Sequence, residues 1–420
     1  MTLDLATIPQ LDADPYSPEF LADPYPHYVE LREAGPVVWL NRYEHYLVAR
    51  HAETQIVLEE WETFGSTRGF GLNDPDHDVP LVDAPEFAPF KDIPRMCSEG
   101  MQRLYAAVRP DPPEHQAIRK IFMRMLAPNL VRSWREHILA SADEMVEALV
   151  ARGSFDAAVE LSDRFVLNVV GDIVGLPAEG RENMALYGDM AMNTSGPRNE
   201  TYMNSIGNAV DAVEWVEQVC RRDVVSPGGI GELIYQAVDA GEIADEQMGD
   251  VFVRVFPTAA MDTTSSTITN AIHNLATHPD QWRLLREDAS LARNAFQETM
   301  RFTMPIHPLY RTTNRDSELA GLPIAEGRKM LILMGSANRD PRAFERPDVF
   351  DIRRDASRQL GFGSGIHSCA GQTLARLEGE AVLAALARRV ERIELDGEPT
   401  RRVHNTLHTF SQLPVTVTAG

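Results

Sequence analysis

One cysteine of this chain lies in a glycine-rich turn that favours thiolate chemistry. Cys369 belongs to the stretch GFGSGIHSCAG at 361–371, and the residues that follow, AGQTLARLEGEAVLAALARRV, have a helical pattern. A helix N-terminus stabilises a thiolate through its dipole and its free N–H groups. Glycines at 363, 365 and 371 would let a large flat group approach the backbone.

Several kinds of site place glycines and a cysteine in such a turn. A phosphate loop requires Lys followed by Ser or Thr before its helix, and this turn has no such pair. A dinucleotide-binding turn requires a preceding strand, and RRDASRQL makes a poor strand. A cysteine nucleophile, a buried structural cysteine and a thiolate ligand to haem iron remain open.

The stretch FGSGIHSCAG resembles the haem-ligand loop of the cytochrome P450 monooxygenases, whose pattern is F-x-x-G-x-x-x-C-x-G. Every fixed position is met, with Phe362 at the start and Cys369 as the axial ligand. The resemblance implies a mainly α fold with small β-sheets, one domain over 1–420 around a buried haem b, and an extended arm over 1–20. It also implies insertion of one oxygen atom of O2 into a small organic substrate.

A Glu-x-x-Arg motif fits the same resemblance. In ETMR, Glu298 and Arg301 are three residues apart, so both side chains share one helix face and can pair. The family joins such a pair to a second arginine in a buried network, and Arg354 in FDIRR resembles it. A solvated pair and an ordinary surface arginine are the alternatives.

Four cationic side chains match the family's contacts to the two haem propionates. His115 and Arg119 lie one helical turn apart, so both point the same way. Arg311 follows in HPLYRTT, and His367 precedes Cys369 by two residues. Partly buried propionates require such cations or donors.

An acid–alcohol pair lies inside a long apolar pattern at 251–279. The family places such a pair over the iron, and Asp262 and Thr263 occupy its positions here. The resemblance implies that Thr263 lies beside the oxygen site and that Asp262 relays protons from solvent. Ala260 stands where the family usually has glycine, which would narrow the oxygen groove. Pro257 predicts a kink or a freed carbonyl.

Hydrophobic periodicity gives a helix-rich chain without alternating βαβ units. The patterns predict helices over 115–126, 131–151, 163–175, 178–193, 199–222, 230–240, 251–279 and 278–302. They predict strands over 37–40, 46–50, 309–313, 329–334 and 413–418. The stretch 68–108 is rich in Pro, Asp and Gly and has no assignable pattern.

Composition narrows the class of protein. The 420 residues are 44% hydrophobic, enough for a large core, and the formal charge of -22 argues against nucleic acid or anionic membranes as partners. The N-terminus lacks a signal-peptide pattern, and no apolar run is long enough for a membrane span. Cys97, Cys220 and Cys369 are too far apart for a zinc knuckle, and a disulfide framework is not expected. We expect a cytoplasmic monomer.

The resemblance to the soluble bacterial members implies that electrons come from a ferredoxin and an NAD(P)H-linked ferredoxin reductase. A basic stretch without acids offers charge complementarity to an acidic partner. Its cations are Arg119, Lys120, Arg124, Arg132 and Arg135. A solvated basic face is the alternative interpretation.

Details such as LARNAFQETMRF, MGSANRDP and ARLEGE resemble bacterial members that act on small aromatic acids. This resemblance implies hydroxylation or O-demethylation of a small aromatic acid or methoxyaryl compound. Candidate pocket residues are Thr258, Ala259, His307 and Phe410, each of which ordinary packing would also explain. A monooxygenase of terpenoids or fatty acids and a non-catalytic haem-thiolate sensor are the alternatives.

Overall fold

The computed structural model describes residues 5–72 and 107–420, and helices make up most of them. The helices are α1 (Pro18–Ala22), α2 (Tyr25–Ala34), α3 (His51–Glu59), α4 (Glu114–Met125), α5 (Pro128–Arg152), α6 (Arg164–Val174), α7 (Glu182–Asn193), α8 (Glu200–Val219), α9 (Ile230–Asp239), α10 (Glu246–Thr277), α11 (Pro279–Glu287), α12 (Ala292–Phe302), α13 (Met334–Ala337) and α14 (Gln372–Arg389). A π-helical turn, Ala157–Asp163, precedes α6, and 3-10 turns span Ala289–Leu291 and Gly365–His367.

The strands form small sheets at the edges of this helical body. They are β1 (Gln10–Leu11), β2 (Val38–Leu40), β3 (His45–Val48), β4 (Phe64–Gly65), β5 (Ser154–Asp156), β6 (Pro308–Thr313), β7 (Ser317–Leu319), β8 (Leu322–Ile324), β9 (Lys329–Leu333), β10 (Val390–Leu395), β11 (Thr400–Arg401), β12 (Phe410–Gln412) and β13 (Pro414–Ala419). The largest sheet has the order β1-β2-β3-β9-β6-β4, and a three-stranded sheet has the order β10-β13-β5. The predicted fold class, mainly α with small sheets, is confirmed.

The central helix is α10, which the sequence predicts over 251–279. It begins earlier because the side chain of Asp245 caps it, accepting a hydrogen bond from the backbone N–H of Met248. Side chains on nearly every face of α10 are buried, as expected for a helix enclosed by its neighbours. The helix continues through the buried Pro257, and it packs against α6, α7, α12 and α14.

Two predicted boundaries are wrong. The stretch 278–302 is not one helix, because Asp288 adopts an extended conformation and caps a 3-10 turn through the N–H of Ser290. The helix predicted from 178 begins at Glu182, after Gly180 with its positive φ of 81°. The helix predicted over 163–175 is confirmed as Arg164–Val174, and it follows a π-helical turn directly. The other helix and strand windows are confirmed to within a few residues.

The described part of the predicted arm, residues 5–20, contacts the sheet and the core. Strand β1 pairs in parallel with β2, bringing Gln10 opposite Trp39. The hydroxyls of Tyr16 and Tyr310 lie 2.9 Å apart in the core. Residues Gln10–Leu11 of the predicted arm thus belong to the six-stranded sheet. In the described ranges, no helix has the length and apolarity that crossing a membrane would require.

Candidate active site

The loop before α14 holds Cys369 in place. The backbone N–H of Cys369 donates to the carbonyl of Phe362 at 2.8 Å, closing the loop over a 3-10 turn. The thiol faces a cavity, through which it is accessible, although protein atoms enclose it on its other sides. Burial raises the pKa of the Cys369 thiol, while the N–H groups of Gly371 and Gln372 and the charge of Arg119 oppose that shift. These groups would stabilise a thiolate.

The glycines of this loop have different functions. Gly363 and Gly365 have φ values of 69° and 70°, which favour glycine. A Cβ on Gly365 would lie 2.6 Å from the carbonyl oxygen of Leu58, so this glycine allows the loop to pack against α3. Beside Gly371, in contrast, the nearest atom to a built Cβ is the Cys369 sulfur at 3.9 Å. Gly371 therefore leaves open space next to the thiol, and Gly365 does not.

A cavity of about 420 Å³ opens above the thiol between α10, α4 and the six-stranded sheet. Its wall is mostly apolar. Representative side chains are Phe70, Val108, Ile118, Phe122, Met192, Val255, Phe256, Phe296, Leu309 and Leu374. This volume is typical of an enclosed small-molecule or cofactor site.

The four cations predicted to hold the propionates all line this cavity. The rings of His115 and His367 lie 4.5 Å apart, edge to face. Burial lowers the pKa of Arg311 to about 10, which is still well above neutral pH, so its guanidinium remains charged. Burial also lowers the pKa of Arg119, and the charge of Cys369 opposes that shift. The structure therefore brings these four side chains, from parts of the chain that are far apart in the sequence, to one cavity.

The side chain of Asp111, which the sequence did not single out, orients His367. The Nε2 atom of His367 lies 3.0 Å from Asp111 Oδ1 and 2.9 Å from the hydroxyl of Ser66. Burial alone would raise the pKa of Asp111, but hydrogen bonds from His367, Thr67 and Ser66 lower it to about 2. The Asp111 carboxylate therefore stays ionised and holds the His367 ring on the cavity wall.

The residues on the cavity wall fit a haem. The wall has one thiol with backbone N–H groups aimed at its sulfur, as an anionic axial ligand requires. It also has cations for two carboxylates, and apolar side chains for the faces of a macrocycle. Cys369 would ligate the iron, and His115, Arg119, Arg311 and His367 would hold the propionates.

The α10 helix presents small and hydroxyl-bearing residues to this cavity. Ala259, Ala260, Thr263, Thr264 and Thr267 line it at helical spacing. The Thr263 hydroxyl donates to the carbonyl of Ala259 at 2.8 Å. Its lone pairs are therefore directed to accept hydrogen bonds from a group in the cavity.

Asp262 faces away from the cavity, towards α7. Its Oδ1 accepts a hydrogen bond from Arg402 at 3.1 Å, and Arg402 also binds Asp189 at 2.6 Å. Within 5–72 and 107–420, no hydrogen-bond donor reaches Asp262 Oδ2, and a Cβ on Gly188 would lie 2.5 Å from this oxygen. Burial raises the pKa of Asp262, and the charge of Arg402 opposes the shift. The carboxyl thus takes up a proton more readily than an exposed aspartate.

The Glu298 carboxylate lies at the centre of a buried network beneath the site. Arg301 donates to both of its oxygens at 2.8 Å, and Arg354 Nε donates to Oε1 at 3.1 Å. The remaining guanidinium N–H groups bond backbone carbonyls, among them those of Asn338 and Pro347. This network ties α12 to the segment that leads into the Cys369 loop.

Comparison with known proteins identifies the family. The family model described as Cytochrome P450 matches residues 242–417. Cytochrome p450 CYP199A2 of Rhodopseudomonas palustris is 42% identical over 98% of this chain and 95% of its own length. The chain belongs to the cytochrome P450 family. It is a P450 monooxygenase of bacterial type, and haem is the cofactor of the family.

More distant relatives show the same architecture. Steroid C26-monooxygenase of Rhodococcus jostii is 29% identical over 93% of this chain and 81% of its own length. The solved structure of cytochrome P450 CREJ in complex with (4-ethylphenyl) dihydrogen phosphate has a TM-score of 0.83 and 25% identity. That match covers 96% of this P450 and 99% of the other chain.

Only one of the four predicted pocket residues lines the described cavity of this P450, namely Ala259. Thr258, one position earlier on α10, is buried and donates to the carbonyl of Arg254. His307 lies 2.6 Å from the hydroxyl of Tyr28, and Phe410 stacks on His273 and Arg401. Thr258, His307 and Phe410 do not line the described cavity, and their assignment to the substrate pocket stays a prediction.

Glu378 is a cavity residue that sequence reasoning missed. It lies on α14, is fully buried, and in the described part of the chain neither of its carboxyl oxygens has a hydrogen-bond partner. Burial raises its pKa from 4.5 to about 8. The side chain is therefore mostly protonated at pH 7. The sequence does place a charged residue one helical turn after the apolar Leu374, but the solvent-exposed face of a helix gives the same pattern.

We expect Glu378→Gln to stabilise the protein in a pH-dependent way. Between pH 4.5 and about 8 the folded state holds a proton that the unfolded state releases, so the wild type loses stability relative to the neutral variant as pH rises. The difference in free energy of unfolding should be near zero at pH 4.5 and about 3 kcal/mol at pH 7. Urea unfolding across this pH range measures it.

Glu380→Gln is the matched control on the same helix. Glu380 is partly exposed and lies 3.5 Å from Arg135, so its replacement should change the free energy of unfolding by at most about 1 kcal/mol. A Glu378→Gln difference that is equal at pH 4.5 and pH 7 would contradict the neutral, buried carboxyl.

Proposed function

We propose that this P450 hydroxylates or O-demethylates a small methoxyaryl compound or aromatic acid. The observation that carries the proposal is the cavity, about 420 Å³ in volume and walled by Phe70, Phe256 and Leu309 above Cys369. The haem b and the substrate would share this cavity. Aromatic and aliphatic walls favour a flat apolar ring.

The relatives include a P450 solved with a small aryl compound and P450s named for larger lipids. A structurally similar P450 at 25% identity has been solved with (4-ethylphenyl) dihydrogen phosphate, a para-substituted ring that carries an anion. Relatives at 29% identity are named for the oxidation of a steroid and of a dihydromenaquinone, which are larger substrates. The competing assignment is therefore a steroid or another long lipid.

A panel titrated by difference spectroscopy of the haem protein tests this assignment. We expect 4-methoxybenzoate or uncharged 4-methoxytoluene to shift the iron towards high spin, because a para-methoxyaryl ring would pack against the apolar side chains of the cavity. Comparing the two compounds shows whether a carboxylate is required. Cholestenone, palmitate and camphor are the matched competitors. A spin shift with one of these and none with any methoxyarene would overturn the proposal.

We propose that Thr263 and Asp262 deliver protons to the cavity. When bound, the haem supplies the oxygen chemistry, and this chain must supply protons and exclude water. The Thr263 hydroxyl, with its own proton donated to Ala259, can accept and orient a protonated group in the cavity. Asp262 faces α7, about 100° around α10 from Thr263, and burial raises the pKa of its carboxyl, so it can take up protons from that side.

Thr263→Ala tests this assignment. We expect the variant to consume reduced nicotinamide through its redox partners while product per nicotinamide falls at least about tenfold and peroxide appears instead. Thr263→Ser should restore most of the product, because it returns the hydroxyl. Thr267→Ala, one turn further along the same face, is the control. Full coupling in Thr263→Ala would remove the hydroxyl from the proton path.

Membership of the bacterial P450 class implies redox partner proteins. We propose that an acidic ferredoxin, reduced by an NAD(P)H-linked reductase, docks on the basic residues of α4 and α5. Lys120, Arg124, Arg132 and Arg135 are exposed there, whereas Arg119 turns towards the cavity. Arg124 pairs with Glu242 at 2.6 Å, so Lys120 and Arg132 contribute most of the charge available to a partner.

The double variant Lys120→Glu, Arg132→Glu tests the docking assignment. We expect its reduction by an acidic ferredoxin to slow about tenfold at low salt, with the difference shrinking as salt rises. Arg392→Glu is the control, since Arg392 is an exposed arginine on β10. Stopped-flow reduction rates measure the effect. Equal rates for the double variant and the control would contradict docking on this surface.

A further inference from the structure

A short segment of irregular backbone forms part of the cavity wall. Phe70 contributes its side chain to the wall beside Leu309. The Phe70 carbonyl accepts a hydrogen bond from the backbone N–H of Tyr310 at 2.9 Å. Two residues on, the N–H of Leu72 donates to the carbonyl of Ser195 at 2.7 Å. The segment 66–72 thus lies between strand β6 and the end of α7.

The backbone of this segment turns sharply, so its carbonyl groups do not join a regular ladder of β-sheet hydrogen bonds. Gly69 has a φ of 93°, and its N–H donates to the carbonyl of Ser66 at 2.8 Å. A Cβ on Gly71 would lie 2.5 Å from the carbonyl oxygen of Ser195, so the backbone is in close contact there. Buried carbonyls in such a turn require donors from elsewhere in the protein.

Lys329 supplies those donors. It lies on β9 with 8% of its surface exposed, and its ammonium donates to three carbonyl oxygens of the segment. The Nζ–O distances are 2.7 Å to Arg68, 3.2 Å to Gly69 and 3.1 Å to Gly71. An ammonium has three N–H donors, so the three carbonyls match its bonding capacity. A buried charge is tolerable only with such partners.

The choice of lysine is informative in this arginine-rich chain. Only Lys91, Lys120 and Lys329 are lysines among the 40 basic residues. A guanidinium presents five donors in one plane, whereas an ammonium presents three around a point. The three carbonyls around Nζ come from one turn and converge on one atom, which suits an ammonium and not a planar fork.

We propose that Lys329 is a positioning residue that holds Phe70 against the cavity and thereby determines which ring systems the cavity admits. Lys329 itself is not on the cavity wall, so it acts through the carbonyls on both sides of Phe70. The proposal rests on the cavity of the P450 and not on the substrate class proposed above.

Two haem ligands of different size test the proposal without a known substrate. Imidazole and 4-phenylimidazole both bind ferric haem proteins, and the ratio of their dissociation constants reports on the wall that meets the phenyl ring. We expect Phe70→Ala to change this ratio at least fivefold. Lys329→Met, which keeps the chain length but loses the donors, should change it in the same direction by at least threefold. Lys120→Met, at an exposed lysine, should leave it within twofold.

A double-mutant cycle separates positioning from general loosening. If Lys329 acts through Phe70, Lys329→Met made in the Phe70→Ala background should leave the ratio within twofold of Phe70→Ala alone. A general structural role would persist in that background. If Lys329→Met does not retain haem, Lys329→Arg is tested in its place, with the same expected changes in the ratio. The planar guanidinium of arginine cannot donate to three carbonyls that converge on one atom. The proposal is overturned if either single variant leaves the ratio unchanged, or if the lysine effect survives without Phe70.

Discussion

The site depends on one interaction, the stabilisation of a cysteine sulfur by the first N–H groups of a helix. Gly371 and Gln372 direct these groups at Cys369 as α14 begins, and the hydrogen bond from Cys369 to Phe362 closes the loop around the sulfur. A helix stabilises an anion at its N-terminus and not along the rest of its length. The surrounding structure therefore has to bring a cavity, cations and a proton source to this terminus.

This arrangement requires buried charged groups, and at most positions the structure pairs a buried carboxylate with an arginine or histidine side chain. Glu298 has two arginines, Asp111 has His367 and the 66–67 turn, and Asp262 has Arg402. Removing one member of such a set leaves an uncompensated charge, which is why buried pairs hold their segments in fixed relation. Glu378 is different, because it stays neutral by binding a proton in place of a partner.

The sequence predicts the parts of the site that depend on local spacing. Phe362 and Cys369 lie in one short loop, and Glu298 and Arg301 are one helical turn apart, so their geometry follows from chain connectivity. Thr258 does not line the described cavity because it precedes Ala259 on α10 by one residue, and one residue turns a helix by about 100°. His307 and Phe410 do not line it because strand and turn residues can face either side, and these two contact Tyr28 and His273.

Contacts between distant segments could not be predicted in the same way. Asp262 and Arg402 are separated by 140 positions, and Lys329 meets the 68–71 turn across about 260. No periodicity in either segment signals such a contact, because each depends on how strands and helices pack. The break at Asp288 was missed for a more local reason: both flanking stretches have helical patterns, and only the cap separates them.

The most direct measurement is the absorption spectrum of the reduced, carbon monoxide-bound haem protein, compared between the wild type and Cys369→His. Thiolate ligation by Cys369 predicts the red-shifted Soret band typical of the P450 family in the wild type, and the shorter-wavelength band of histidine-ligated haem in the variant. Cys220→Ala, at a buried cysteine outside the cavity, should retain the red-shifted band. A red-shifted band that persists in Cys369→His, or that is missing from the wild type, would contradict the assignment of Cys369 as the iron ligand.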